Sequence, residues 1–260
     1  MVGVGERLFG GILHEHDLVP SVLSSAPNWF REAIEEFQTI IKNLKFPCVY
    51  ASKSNLYYSY ANSILVNRDA VASHFEQYVE ALKSLEREDA GLAARTLLVT
   101  FEKPRENYVS VDEYQCETWE LLRFLLYADR EPWPDTIPRD PDTSKWEFCF
   151  AGVPLFVNVC TPSHLKRRSR NLGRSLTLVV QGRAGIDFCA PPTDEGNPAR
   201  ELIRTRLDSF DQVPRCSDLN VYGIESNRQW KLYFLSDDGK PRTGECPLSA
   251  TQNQNPSNRR

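Results

Sequence analysis

His164 stands just beyond Pro162 and is followed by Lys166, Arg167, Arg168, Arg170 and Arg174, the densest cationic cluster in the chain. A neutral imidazole is the commonest side-chain metal ligand, and its second nitrogen needs a partner that fixes the tautomer. Arginines grip carboxylates and phosphates in two-pronged fashion. One histidine and several guanidiniums delivered to the rim of a β unit therefore suit an anionic, metal-containing cofactor. The same residues also suit a core hairpin followed by a solvated basic loop, and on spacing alone that plainer reading has the advantage.

Cys48, between Pro47 and Val49, is a second candidate donor. Thiolate ligation of haem pushes electron density onto iron and favours O–O cleavage, whereas the usual fate of a free cysteine is to be a small buried hydrophobe. The plainer fate is also the expectation for Cys149 and Cys160. For a cationic substrate, Glu117, Glu120, Glu147 and Asp187 offer the paired oxygens that a guanidinium demands, and spacing does not choose among them. Tyr57, Tyr58, Tyr60, Trp119 and Trp146 either line a flat cofactor or fill a core. No glycine-rich phosphate loop, GxSxG elbow or HExxH motif is present, so catalytic chemistry is expected from a cofactor.

Composition narrows the setting. The seven cysteines are odd in number, scattered and without a CxxC pair, which argues against a zinc ribbon or disulfide scaffold and for a reduced, cytoplasmic environment. Four histidines are too few for a multi-histidine centre with any to spare, but one axial ligand is easily supplied. A net charge of −4 weakens the case for nucleic acid as the partner of the basic cluster. No run has the length of a membrane-spanning helix, and Met1 to Gly11 lacks the apolar core of a secretory signal.

The elements that must position these residues are legible in outline. Phe30, Ile34, Phe37, Ile41 and Leu44 recur at helical spacing after Pro27, and Asn67 opens a second helix carrying Val71, Phe75, Tyr78, Leu82 and Leu85 on one face. Arg95 to Phe101 reads as a buried strand. Ser110 and Glu113 have capping-box spacing for a helix to about Tyr127. A stiff proline-rich segment with Pro132, Pro134, Pro138 and Pro141 wraps over the domain. Trp146 to Cys160 reads as two strands turning at Gly152-Val153-Pro154. Ser175 to Gly182 is a further strand, Asn197 to Phe210 a helix and Gln229 to Leu235 a late strand. The expected fold is a single α/β or α+β domain over residues 1–248, with a mixed sheet flanked by helices and a disordered tail at 249–260.

Several segments together resemble the YqcI/YcgG family. They are Phe46-Pro47-Cys48, Trp133-Pro134 with Ile137-Pro138, and the block Trp146, Phe148, Phe150, Ala151, Gly152, Pro154, Phe156 and Asn158. Pro162, His164, Arg167, Ser169, Arg170, Leu172 and Gly173 follow, and then the late Gln229-Trp230-Lys231, Tyr233 and Leu235. The resemblance spans roughly residues 44 to 247; Cys246-Pro247-Leu248 departs from the family's usual Cys-Pro-Phe. It implies a haem pocket and a haem b-dependent monooxygenase that N-hydroxylates the guanidino group of L-arginine or a related guanidine in specialised-metabolite (antibiotic) biosynthesis. Dioxygen or hydrogen peroxide and an external electron donor are the implied co-reactants, and a homodimer is an open option. Under this resemblance His164 becomes the expected iron ligand, with Cys48 as the alternative. Arg167, Arg170 and, more weakly, Arg168 become propionate partners, Phe150 and Gly152 pocket residues, and Glu117 or Glu147 the group that grips the guanidinium. A non-catalytic haem carrier or sensor is the rival.

Overall fold

The computed structural model describes residues 11–85, 95–103 and 109–249. The N-terminal reading up to Gly10, the side chain of Leu85 and the tail beyond Ser249 lie outside them. Six strands form one mixed sheet: β1 (Leu13–His14), β2 (Asn55–Ala61), β3 (Arg95–Phe101), β4 (Phe148–Phe150), β5 (Val153–Cys160) and β6 (Thr177–Gly182), in the order β1-β2-β3-β6-β5-β4. Only β2 and β3 are parallel, because the long connection between them carries a helix where the other pairs need none. The helices are α1 (Pro20–Leu23), α2 (Asn28–Lys42), α3 (Arg68–Leu85), α4 (Val111–Ala128), α5 (Arg183–Cys189), α6 (Asn197–Phe210) and α7 (Gln229–Tyr233).

Period-two alternation in the strands sorts the side chains to two faces. Tyr57, Leu97, Val99, Val157, Val159, Leu178 and Val180 point to the face covered by α3 and α4, where Val71, Phe75, Tyr78, Trp119, Leu122 and Leu125 complete a wholly apolar layer. Leu56, Tyr58, Tyr60, Leu98 and Cys160 point to the opposite face, under Phe30, Ile34, Phe37 and Ile41 of α2. The aromatic residues singled out in the sequence are thus divided between two cores. The proline-rich segment does wrap over the domain: Trp133 stacks on Trp146 and donates its indole N–H to the Ile137 carbonyl at 2.8 Å.

The helix after Ser110 forms with both halves of its capping box in place, Ser110 Oγ accepting from the Glu113 amide and Glu113 accepting from the Ser110 amide. The β4–β5 hairpin turns one residue earlier than expected, on Ala151 and Gly152, both at positive φ (50° and 75°), the backbone of the tight hairpin turns that follow strand twist. Two further expectations are corrected. Leu44 lies past the end of α2 and is 90% exposed. Gln229 to Tyr233 is a short helix, not a strand; every residue of it except Lys231 is buried, so no amphipathic period was available to separate the two conformations. No helix among the described residues is long and apolar enough to cross a membrane.

Candidate functional site

A cavity of about 200 Å³ opens between the α2 face of the sheet, the Phe46–Ser54 loop, the loop after β5 and α6. Its apolar wall comes from Phe37, Ile41, Phe46, Leu56, Leu98 and Leu172, and Ile203 and Leu207 of α6 cover it. No residue of α6 is fully buried, so this helix rests on the cavity as a cover and not as part of the core. The floor is polar. Thr96, Gln181 and Asn158 come from three adjacent strands, and Gln181 donates to Thr96 Oγ1 at 3.2 Å. The signal in the sequence was a polar residue at the alternating position of otherwise apolar strands, a weak one that a single strand does not distinguish from a solvent-facing face.

Two of the residues named from sequence line this cavity, Cys48 and Arg170. Cys48 follows Pro47 at the entry to a short 3₁₀ turn (Ala51–Lys53). It is solvent-accessible and stands in the cavity wall. Burial pushes the thiol above its ordinary value, and the backbone N–H groups of Tyr50 and Ala51 directed at the sulfur pull it part of the way back. Arg170 is 6% exposed. It donates to Asn158 Oδ1 and to the backbone carbonyls of Leu232 (2.9 Å) and Tyr233 (3.3 Å). Burial lowers its pKa to about 10.

His164 is elsewhere, with no exposed surface. Its Nε2 lies 2.8 Å from the Leu235 carbonyl and its Nδ1 2.9 Å from Thr161 Oγ1. A carbonyl only accepts, so Nε2 carries the proton and Nδ1 accepts from the threonine hydroxyl. Both nitrogens are spent inside the protein, and in this arrangement neither lone pair nor proton faces the cavity. Burial lowers the imidazole pKa to about 4, with the Leu235 carbonyl opposing and Arg170 and Arg167 reinforcing that shift. The unfolded imidazole titrates near 6.5. Between those values the unfolded chain takes up a proton that the folded chain refuses, so stability falls as the pH drops from 6.5 to about 4 and no further below it. His164→Gln, which cannot titrate, should remove about 3 kcal/mol of that pH dependence. Urea unfolding of both chains across pH 4–7 measures it; parallel curves would show that the folded His164 titrates as it does in the unfolded chain.

The neighbouring residues tie the same loop to the segment that follows Leu235. Arg167 is 1% exposed, with Nε on the Ser236 carbonyl at 2.6 Å and NH1 3.8 Å from Asp211, while Asp237 accepts from the amides of Leu165, Lys166 and Arg167. Arg168 is exposed and lies over the Phe210 ring at 4.9 Å. Phe150 packs edge-on against Phe75 in the opposite core, and Gly152 serves the hairpin turn.

The two carboxylates named for a guanidinium are not at the cavity either. Glu147 is completely buried and receives Nε and NH2 of Arg183, each at 2.5 Å. Burial raises its carboxyl above the ordinary range, and Arg183 works against that; a two-pronged contact this short is an ion pair. Arg183 is sandwiched further by the Tyr222 ring at 4.2 Å and by Asp187 at 3.5 Å. Glu117 sits half-buried on α4, on the other side of the sheet, and burial followed by Glu113 and Glu120 raises its pKa. Among the described residues no cluster of three or more histidine, cysteine, aspartate or glutamate side chains could hold a bare metal ion; the groups that line this cavity are two thiols, the accessible Cys48 and the buried Cys160, one guanidinium and neutral polar groups.

Comparison with known proteins places the sequence among relatives. The sequence profile of the YqcI/YcgG family matches residues 37–249. The chain is 31% identical over 227 residues to a Streptomyces lavendulae protein provisionally named N(omega)-hydroxy-L-arginine synthase DcsA, a match covering 85% of this chain and 84% of that one. It is 32% identical over 251 residues to Bacillus subtilis YcgG (93% and 96% covered) and 30% identical over 238 residues to B. subtilis YqcI (89% and 92% covered); both carry names that assign no activity. No solved structure matches.

Proposed function

The chain belongs to the YqcI/YcgG family, and from that premise we propose that it is a haem-dependent oxygenase that N-hydroxylates the guanidino group of L-arginine or a close analogue. The substrate class rests on the name of the S. lavendulae relative. The observation that supports the cofactor reading is Cys48: a solvent-accessible thiol in the wall of the cavity that Arg170 also lines. Burial holds the thiol above its ordinary value, and a bound metal would deprotonate it outright. We therefore assign the iron ligand to Cys48 rather than to His164, whose two nitrogens are spent on Thr161 and Leu235.

Haem ligated by thiolate supplies oxygen activation by pushing electron density toward the bond to be cleaved. The chain supplies the rest. Phe37, Ile41, Phe46, Leu56 and Leu98 exclude water from the reacting region. The cavity is smaller than the ~300–1,000 Å³ of ordinary ligand sites, so entry of a macrocycle requires α6, the weakly buried cover, to move outward. Electrons come from an external donor, or peroxide replaces both donor and dioxygen.

Haem-loaded protein given L-arginine, reductant and air, or peroxide, should yield arginine heavier by one oxygen, read by mass spectrometry. Stoichiometric haem uptake without that product would reduce the protein to a haem carrier or sensor. Failure to bind haem at all would sink the cofactor reading.

A further inference from the structure

The charge of the cavity has the wrong sign for a guanidinium. Among the described residues that line it no aspartate or glutamate occurs, and Arg170 is the charged one. Asp211, which favours the Arg170 charge from a distance, makes no hydrogen bond to it: its oxygens accept from the Ser169 amide (2.7 Å) and hydroxyl (2.8 Å), and it lies 3.8 Å from Arg167. Arg170 makes its hydrogen bonds to neutral oxygens only, those of Asn158, Leu232 and Tyr233. A buried cation whose hydrogen bonds go only to neutral acceptors bears a charge that is only partly compensated, and an anion brought in from outside offsets it most effectively.

We propose that the cavity is a carboxylate receptor centred on Arg170, with Asn158 steadying the guanidinium for two-pronged contact. Burial lowers the pKa of Arg170, with Arg167 reinforcing and Asp211 opposing, in keeping with a charge that is only partly compensated. Two sources present this chemistry, a haem propionate and the α-carboxylate of an amino-acid substrate. The identity of these ligands rests on the oxygenase reading; the sign of the cavity does not. The substrate's guanidinium would then be met by neutral acceptors such as Gln181, not by an acid.

Two pairs of probes separate the sources. Haem is compared with its dimethyl ester by absorbance titration, and L-arginine with agmatine, its decarboxylated form, by calorimetry on the haem-loaded chain. A propionate on Arg170 makes the ester bind about ten-fold more weakly or worse; a substrate carboxylate on Arg170 does the same to agmatine. Arg170→Gln, which keeps an amide donor, should bring the affected pair to near-equal affinity. Arg170→Lys, which keeps the charge but not the fork, should narrow the preference several-fold, and serves if the glutamine chain does not fold. The proposal is overturned if neither pair is discriminated by the wild-type chain, or if the preference survives both substitutions unchanged. Because these are binding measurements, an intact carboxylate preference without oxygenated product would count against the oxygenase reading alone, and oxygenated product without any preference would count against the receptor alone.

Discussion

Cys48→Ala should lose haem while remaining folded. Cys48 lines an accessible cavity and supports no core layer, so the truncation costs little stability. If its sulfur is the iron ligand, the affinity loss should exceed about 100-fold, beyond the about 10–100-fold that loss of an outer partner of a ligand produces. The Soret band after haem addition reads uptake, and the ferrous–CO spectrum reads the donor, since thiolate and imidazole place that band differently. His164→Ala is the matched control. It should unfold more easily, because Thr161 and the Leu235 carbonyl each lose a buried partner, but the folded fraction should bind haem with the wild-type spectrum. The opposite pattern, a wild-type band in Cys48→Ala and none in folded His164→Ala, would return the ligand to the histidine.

Glu147→Gln should be among the most destabilising single substitutions in the molecule. It leaves the Arg183 guanidinium, only 10% exposed, facing a neutral amide where both oxygens of a carboxylate stood. Breaking a buried pair from one side costs about 3–5 kcal/mol, and Asp187 at 3.5 Å places this case at the lower end. At about 2–4 °C per kcal/mol for a chain of this size, Tm should fall by about 6–12 °C. Removing both charges together, Glu147→Leu with Arg183→Met, should cost less than the single change. Calorimetry or urea unfolding of the three chains provides the measurement. A Glu147→Gln chain of wild-type stability that no longer oxygenates arginine would identify Glu147 as a substrate-binding group instead.

Elements with a strong local signal formed as the sequence implied. Ser110 and Glu113 cap α4 through neighbours three residues apart, and the apolar runs of β3, β5 and β6 pair in one sheet. Asn55–Ala61 escaped notice as a strand because its tyrosines face both cores, so neither face shows the polar alternation that marks a half-buried strand. Gln229–Tyr233 failed for the related reason that its burial is nearly complete.

The sequence by itself determined family membership, the hairpin and the inventory of candidate groups: a histidine, a cysteine, a basic cluster and scattered acids. Only the tertiary structure decided which of them are free to act. His164 is closed off by a carbonyl 71 residues away, Arg167 by another 69 away, and Glu147 by a guanidinium 36 away. Cys48 and Arg170, far apart in the chain, meet at one cavity. A side chain's type sets which bonds it can make, but whether a bond remains for a ligand depends on partners that folding brings from distant sequence. The histidine and its neighbour are held by backbone carbonyls, while the thiol and the arginine line a cavity with no acid in its wall.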